Sequence, residues 1–184
     1  HDSHRRQRQM CIRDRDKDAV FLATGQTGIC ISGNGIPLDA YKVDYASGAV
    51  EEMVLKHKNN EYLIIEGQGS LLNPGSTATL PLMRGSCPTA LVLCHRLGLR
   101  VVESETKILI PPLEQVISLN EQLVTGINSF PTAKVKAVAL DTRGYDHASA
   151  INEISKMEDK LNLPVTDPVR FSAKKIANAL IYLN

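Results

Sequence analysis

Apolar residues along this chain fall into short unbroken runs, separated by longer stretches where they recur every few positions among polar ones. Unbroken runs of about four to eight residues suit strands buried on both faces, and the wider spacing suits helices with one buried stripe. Residues 19–24, AVFLAT, form the first run and end in the turn-prone GQTG. Asp39 can cap a helix through residues 39–58, DAYKVDYASGAVEEMVLKHK, which Asn59-Asn60 stops. Residues 61–65, EYLII, are the clearest strand, running into Glu66 and the loop GQGSLLNPGS. A third β-type run covers residues 90–94 within TALVLCH. Pro111-Pro112 opens a helix that Gly126 closes. KVKAVAL, residues 134–140, reads as a strand turning at DTRG, followed by a helix through residues 147–162. The short strand LPVTDP and a last helix near residues 173–182 complete the chain. Residues 97–110 fit a strand, a lid loop or a hairpin equally well.

Strands alternating with helices predict an α/β layer fold with a mainly parallel sheet. Ligands of such sheets bind outside the carboxyl ends of the strands. With 184 residues, 43% of them hydrophobic, the chain can bury a core of its own. No apolar run approaches the roughly 18 residues that a membrane helix needs. A net charge of +1 and 4% aromatic residues argue against a nucleic-acid surface. The four Cys show no C-x-x-C spacing, which disfavours a zinc site or disulfide framework and suits a reducing, cytoplasmic setting.

The opening residues 1–15, HDSHRRQRQMCIRDR, are unlike anything after them and lack the apolar stretch of a signal peptide. Residues 5–15, RRQRQMCIRDR, resemble one reading frame of a transposase-type sequencing-library adapter. They are therefore set apart as a non-native segment, and residues 16–184 are read as a partial domain whose natural sequence begins upstream of Asp16. Without the segment the charge becomes 16 − 18 = −2, and the slight basicity disappears.

Polar groups follow every predicted strand. They are Thr24-Gly25-Gln26-Thr27, Glu66-Gly67-Gln68-Gly69-Ser70, His95-Arg96, Asp141-Thr142 and Asp167 through Arg170. Their convergence on one sheet edge marks a candidate site. An acidic residue ending an apolar strand before glycines, as Glu66 does, suits a magnesium ion or its water near phosphates. Gly67 and Gly69 allow close backbone approach. The hydroxyls and N–H groups around Thr24, Gln26 and Thr27 suit an anion. His95 is the candidate general base, and Arg170 can pair a carboxylate or phosphate. Cys94 reads as a buried small apolar residue. No G-x-x-x-x-G-K-[ST] phosphate loop occurs in the sequence.

FLATGQTGICISGNGIPLDAYKVDYASGAVE, LIIEGQGSLLNPG, GSCPTALVLCH and LPVTDPVR, in this order, resemble the C-terminal P-loop domain of a bacterial family long described as of unknown function. Its characterised members are D-glutamate N-acetyltransferases of D-amino-acid catabolism. The resemblance covers residues 19–184 and implies a three-layer, P-loop NTPase-like sandwich, truncated here before its phosphate-binding loop. It also implies a transferase acting on the amino group of a small acidic amino acid, with acetyl-CoA, or Mg2+ with ATP, at the site. The EGQGSLLNPG segment is similar to that of dethiobiotin synthetase, which implies a metal-associated Glu66 and opens a ligase alternative. Carried over, Thr24, Gln26, Thr27, Gln68 and Ser70 line the substrate or phosphate pocket, and Asp167 and Arg170 lie near a nucleotide or coenzyme A moiety. A non-catalytic nucleotide- or CoA-binding module is the third alternative, and a homo-oligomer is compatible with all three. The chain departs from relatives at Arg96, where they have Glu, and at Asp141, where many have Asn. Both changes fall on the predicted ligand edge.

Overall fold

A computed structural model describes residues 17–102 and 107–182. The segment read as adapter-derived lies outside the described residues. Strands β1 (Ala19–Leu22) and β2 (Tyr62–Ile65) pair in parallel, with Ala19 opposite Tyr62. A second parallel group has the order β3–β6–β7, from Ala90–Arg96, Lys134–Asp141 and Val165–Thr166. Between β3 and β6 in sequence, β4 (Val101–Val102) and β5 (Ile108–Leu109) form a small antiparallel pair. Of the options open for residues 97–110, the antiparallel pairing expected of a hairpin is the one seen in the described residues.

Among the described residues, six α-helices accompany the strands: α1 (Gln26–Ser32), α2 (Val43–Lys56), α3 (Thr79–Ser86), α4 (Leu113–Thr125), α5 (His147–Leu161) and α6 (Lys174–Ile181). The layers follow from side-chain alternation along the strands. In β6, Val138 and Leu140 pack with Ile154 of α5, while Ala137 and Ala139 pack with Ile176 of α6. In β1, Leu22 and Val20 join Val50 and Met53 of α2, while Ala19 meets Ala177 of α6. Leu180 of α6 touches both clusters, so this helix spans the two strand groups on one face. Helix α3 does the same elsewhere, with Leu82 in the β1–α2 cluster and Met83 beside Leu91 and Val124. The result is a three-layer α/β sandwich with parallel strands, as the alternation predicts.

Three local expectations differ from what forms. Asp39 does not cap a long helix; it lies in a 3-10 turn, Leu38–Ala40, and α2 begins only at Val43. The GQTG stretch is not an open turn, because α1 starts at Gln26. Cys94 is exposed rather than buried, since β3 is paired on one side only among the described residues. The sequence reading also passed over α3, which contains Pro81 and Gly85. Pro81 sits in the first helical turn, where a missing N–H costs little. Gly85 lies against α2, where a Cβ would come within 2.7 Å of the Val50 Cβ.

Candidate functional site

The ends of β1 and β2 carry the first group of polar residues. Glu66, 4% exposed, accepts a hydrogen bond at Oε2 from the Thr24 backbone N–H at 2.9 Å. Thr24 Oγ1 donates in return to the Glu66 carbonyl at 3.2 Å. Helix α1 rests on this carboxylate because residue 28 is glycine. A Cβ at Gly28 would lie 2.5 Å from Glu66 Oε2 and 2.8 Å from the Ala23 Cβ. Gln68 reaches back toward Gly25, where a Cβ would be 3.7 Å from its Nε2. Gly69 has φ +68, and a side chain there would overlap Ser76 Oγ, whereas Gly67 has open space where a Cβ would stand. Ser70 Oγ accepts from the Leu72 N–H at 3.2 Å and shapes the loop. Gln26 and Thr27 are exposed on the first turn of α1.

The second group stands at the ends of β3, β6 and β7. His95 pairs in register with Leu140, and Arg96 with Asp141. Burial alone pushes the His95 pKa below its ordinary 6.5, so the ring is neutral at neutral pH. Asp141 is 8% exposed and held by Arg143, whose Nε donates to both carboxylate oxygens at 3.0 and 2.9 Å. Asp167, 1% exposed, accepts at Oδ2 from the Thr142 N–H and hydroxyl at 3.0 and 2.6 Å. Its Oδ1 accepts from the Val169 and Arg170 N–H groups at 2.9 and 3.2 Å. Burial pushes the Asp167 pKa up, but these hydrogen bonds outweigh it and hold the group below its ordinary value. Arg170 Nη1 donates to the Thr142 hydroxyl at 3.1 Å and to the Tyr145 carbonyl at 2.9 Å. These bonds occupy part of the guanidinium in bracing the 142–145 turn.

Beside the first group lies a cavity of about 390 Å³. Its walls come from the turn carrying Leu38, Asp39 and Tyr41, from Val43 and Ala46 of α2, and from the loop between Gln68 and Ala78. Asp39 is the site residue that sequence reasoning cast in another role. Its short-range spacing to Val43 suggested a helix cap, and no local pattern signals that the side chain lines a cavity. Gln26 Nε2 donates to both Asp39 oxygens, at 3.1 and 2.9 Å.

Among the described residues, no group of three or more His, Cys, Asp and Glu could hold a metal ion. Glu66 contributes a single carboxylate, so the described residues do not by themselves make a metal centre. Magnesium commonly completes its shell with water and phosphate oxygens, and Glu66 fits only as one member of such a shell. Chemically, the arrangement offers a neutral imidazole, three buried and braced carboxylates at strand ends (Glu66, Asp141 and Asp167), and a small cavity whose described walls carry one charge.

Parallel strands with helices on both faces, and polar groups gathered at the strand ends, define a three-layer α/β domain with a candidate site at its strand ends. A family model described as "Domain of unknown function (DUF1611_C) P-loop domain" matches residues 7–177, and the chain belongs to this family. It is 32% identical over 170 residues to a D-glutamate N-acetyltransferase of Tritonibacter scottomollicae, covering 92% of this chain and 50% of that protein. It is 31% identical over 163 residues to a D-glutamate N-acetyltransferase of a Pseudoalteromonas species, covering 88% and 48%. The crystal structure of a DUF1611 family protein from Anabaena variabilis ATCC 29413 superposes with a TM-score of 0.93 at 45% identity, covering 97% of this chain and 52% of that one. The chain thus spans about half the length of the relatives it matches.

Proposed function

We propose that a longer protein carrying this chain transfers an acetyl group from acetyl-CoA to the amino group of a small acidic amino acid, with D-glutamate as the first substrate to test. The observation that carries this reading is the likeness, over most of the chain, to two proteins named D-glutamate N-acetyltransferase. In such a transfer the amine nitrogen attacks the thioester carbonyl, a C–N bond forms and the C–S bond breaks. The nitrogen's proton leaves to a base, and coenzyme A departs as its thiol. A base must be unprotonated before the step, and burial keeps His95 neutral for that role. Glu66 and Thr24 fix the two strand-end loops against each other, while Asp167 and Arg170 brace the loop after β6. Glu66 joins a magnesium shell only where a phosphate-bearing ligand brings the rest of it.

The test is thiol release from acetyl-CoA by the longer protein, supplied with D-glutamate, L-glutamate or glutarate. Release that requires D-glutamate supports the reading. Release of ADP from ATP with a carboxylate substrate, and no thiol, replaces it with a ligase.

A further inference from the structure

The cavity beside the Glu66–Thr24 pair is lined by one charged side chain, the Asp39 carboxylate. Its other polar walls are amides and hydroxyls, including Gln68, Asn73, Ser76 and Thr77. Among the described residues the walls carry a single negative charge and no cation, which favours a positively charged ligand group. The cavity's volume accommodates a molecule the size of an amino acid.

Asp39 is placed with care by its surroundings. Leu38, only 2% exposed, anchors the 3-10 turn in the core, and its N–H donates to the Thr24 carbonyl at 3.1 Å. The turn bearing Asp39 is thereby tied to the same strand end that holds Glu66. The Gln26 amide then fixes the carboxylate by donating to both its oxygens. A carboxylate has about four acceptor positions, so this tie orients Asp39 and leaves capacity for a ligand donor. Across the cavity, Asn73 Oδ1 accepts from the Gly75 N–H at 3.0 Å, which makes the amide nitrogen its donor end.

We propose that Asp39 receives the ammonium group of an amino-acid ligand, while the neutral donors of the Gln68–Thr77 loop meet its carboxylate. A lone carboxylate is a poor metal ligand set, and an ammonium group needs only one such partner. The identification of that ligand as D-glutamate rests on the function proposed above. Recognition of the amine by Asp39 does not, and it concerns the resting bound pose alone, because His95 does not line this cavity.

The experiment is a ligand-induced thermal shift on the dilute 184-residue chain. D-glutamate, L-glutamate, other amino acids and glutarate, which lacks the amine, serve as probes. The expected result is a preference for an amine over its amine-free counterpart of about tenfold or more, the size of one charge-assisted hydrogen bond. Asp39→Asn removes that preference without weakening glutarate, and Asp39→Glu restores part of it. Preference for a different amino acid, equally abolished in Asp39→Asn, upholds the inference and replaces D-glutamate as the substrate. A preference that survives Asp39→Asn overturns the inference while leaving D-glutamate acetylation standing. Equal binding of glutarate and amines, or no binding of any amine, also overturns it.

Discussion

Glu66 and Thr24 hold each other by two reciprocal hydrogen bonds, carboxylate to backbone N–H at 2.9 Å and hydroxyl to carbonyl at 3.2 Å. The pair joins the ends of β1 and β2 and places a buried carboxylate under α1. It sets the floor on which both the strand-end group and the adjacent cavity are built.

Replacing Glu66 separates its two roles. Glu66→Ala strands the buried Thr24 N–H, and a buried donor without a partner costs about 1–3 kcal/mol. Glu66→Gln keeps an acceptor oxygen and is expected to melt close to the parent. Denaturant melts of both variants check this, and equal losses in the two would show that the Thr24 bond is not what matters.

Gly28→Ala gives a sharper sign test. Glycine to alanine inside a helix ordinarily gains up to about 1 kcal/mol. Here the added Cβ would meet Glu66 Oε2 and the Ala23 Cβ, so the expected outcome is a loss of about 1–3 kcal/mol from overpacking. A stabilised Gly28→Ala protein would mean that α1 does not rest on the carboxylate.

Two glycines of the loop after β2 should behave differently. Gly69→Ala faces a left-handed φ of 68 and a collision with Ser76, so it lowers the melting temperature. Gly67→Ala meets open space and leaves stability unchanged, while crowding any ligand that approaches the backbone there. Thermal melts with and without ligand distinguish the two effects.

The pH dependence follows from Asp167 and His95. The Asp167 pKa is lowered on folding, so the unfolded chain binds the extra proton and stability rises with pH. That contribution is complete above the unfolded carboxylate value of about 3.9 and is lost as pH falls through the lower folded value. His95 is also lowered, from 6.5, so its contribution is full above that pH and declines as pH falls below it. His95→Gln is expected to flatten the weakly acidic limb of a stability–pH curve, and Asp167→Asn the strongly acidic one. Unchanged limbs would contradict the assignment.

Among the described residues, β2 and β3 are each paired on one side only, and their apolar side chains are only half-buried between Tyr62 and Ile65 and between Ala90 and Leu93. Apolar edges of this kind invite pairing with another strand. The 184-residue chain is expected to self-associate as its concentration rises in sedimentation velocity. A monomer that melts cooperatively at all concentrations would show that these edges are satisfied.

Strands β1, β2, β3 and β6 were legible because each is an apolar run leading into polar residues, as EYLII leads into Glu66, whereas the two-residue strands β4 and β5 are too short to show a pattern. Helices α5 and α6 were legible from their apolar spacing; the structure adds that Asp146 caps α5 by accepting from the Ser149 N–H. Helices α1 and α3 were hidden by Gly28, Pro81 and Gly85, whose usual meaning is a turn. At these positions tertiary packing requires a missing side chain or tolerates a missing N–H. The exposure of Cys94 follows from strand pairing, which local sequence does not encode. Asp39 was legible as a polar residue near a helix start, yet its place in the cavity depends on Gln26 and on the Leu38–Thr24 bond. Both contacts link separate segments of the chain.

The measurement that tests the account most directly is the rate of coenzyme A thiol release by the longer protein with D-glutamate and acetyl-CoA. The account predicts release that depends on D-glutamate, with a rising pH limb whose midpoint lies below 6.5 and which His95→Gln abolishes. Thiol release indifferent to D-glutamate, or none at all, would contradict it.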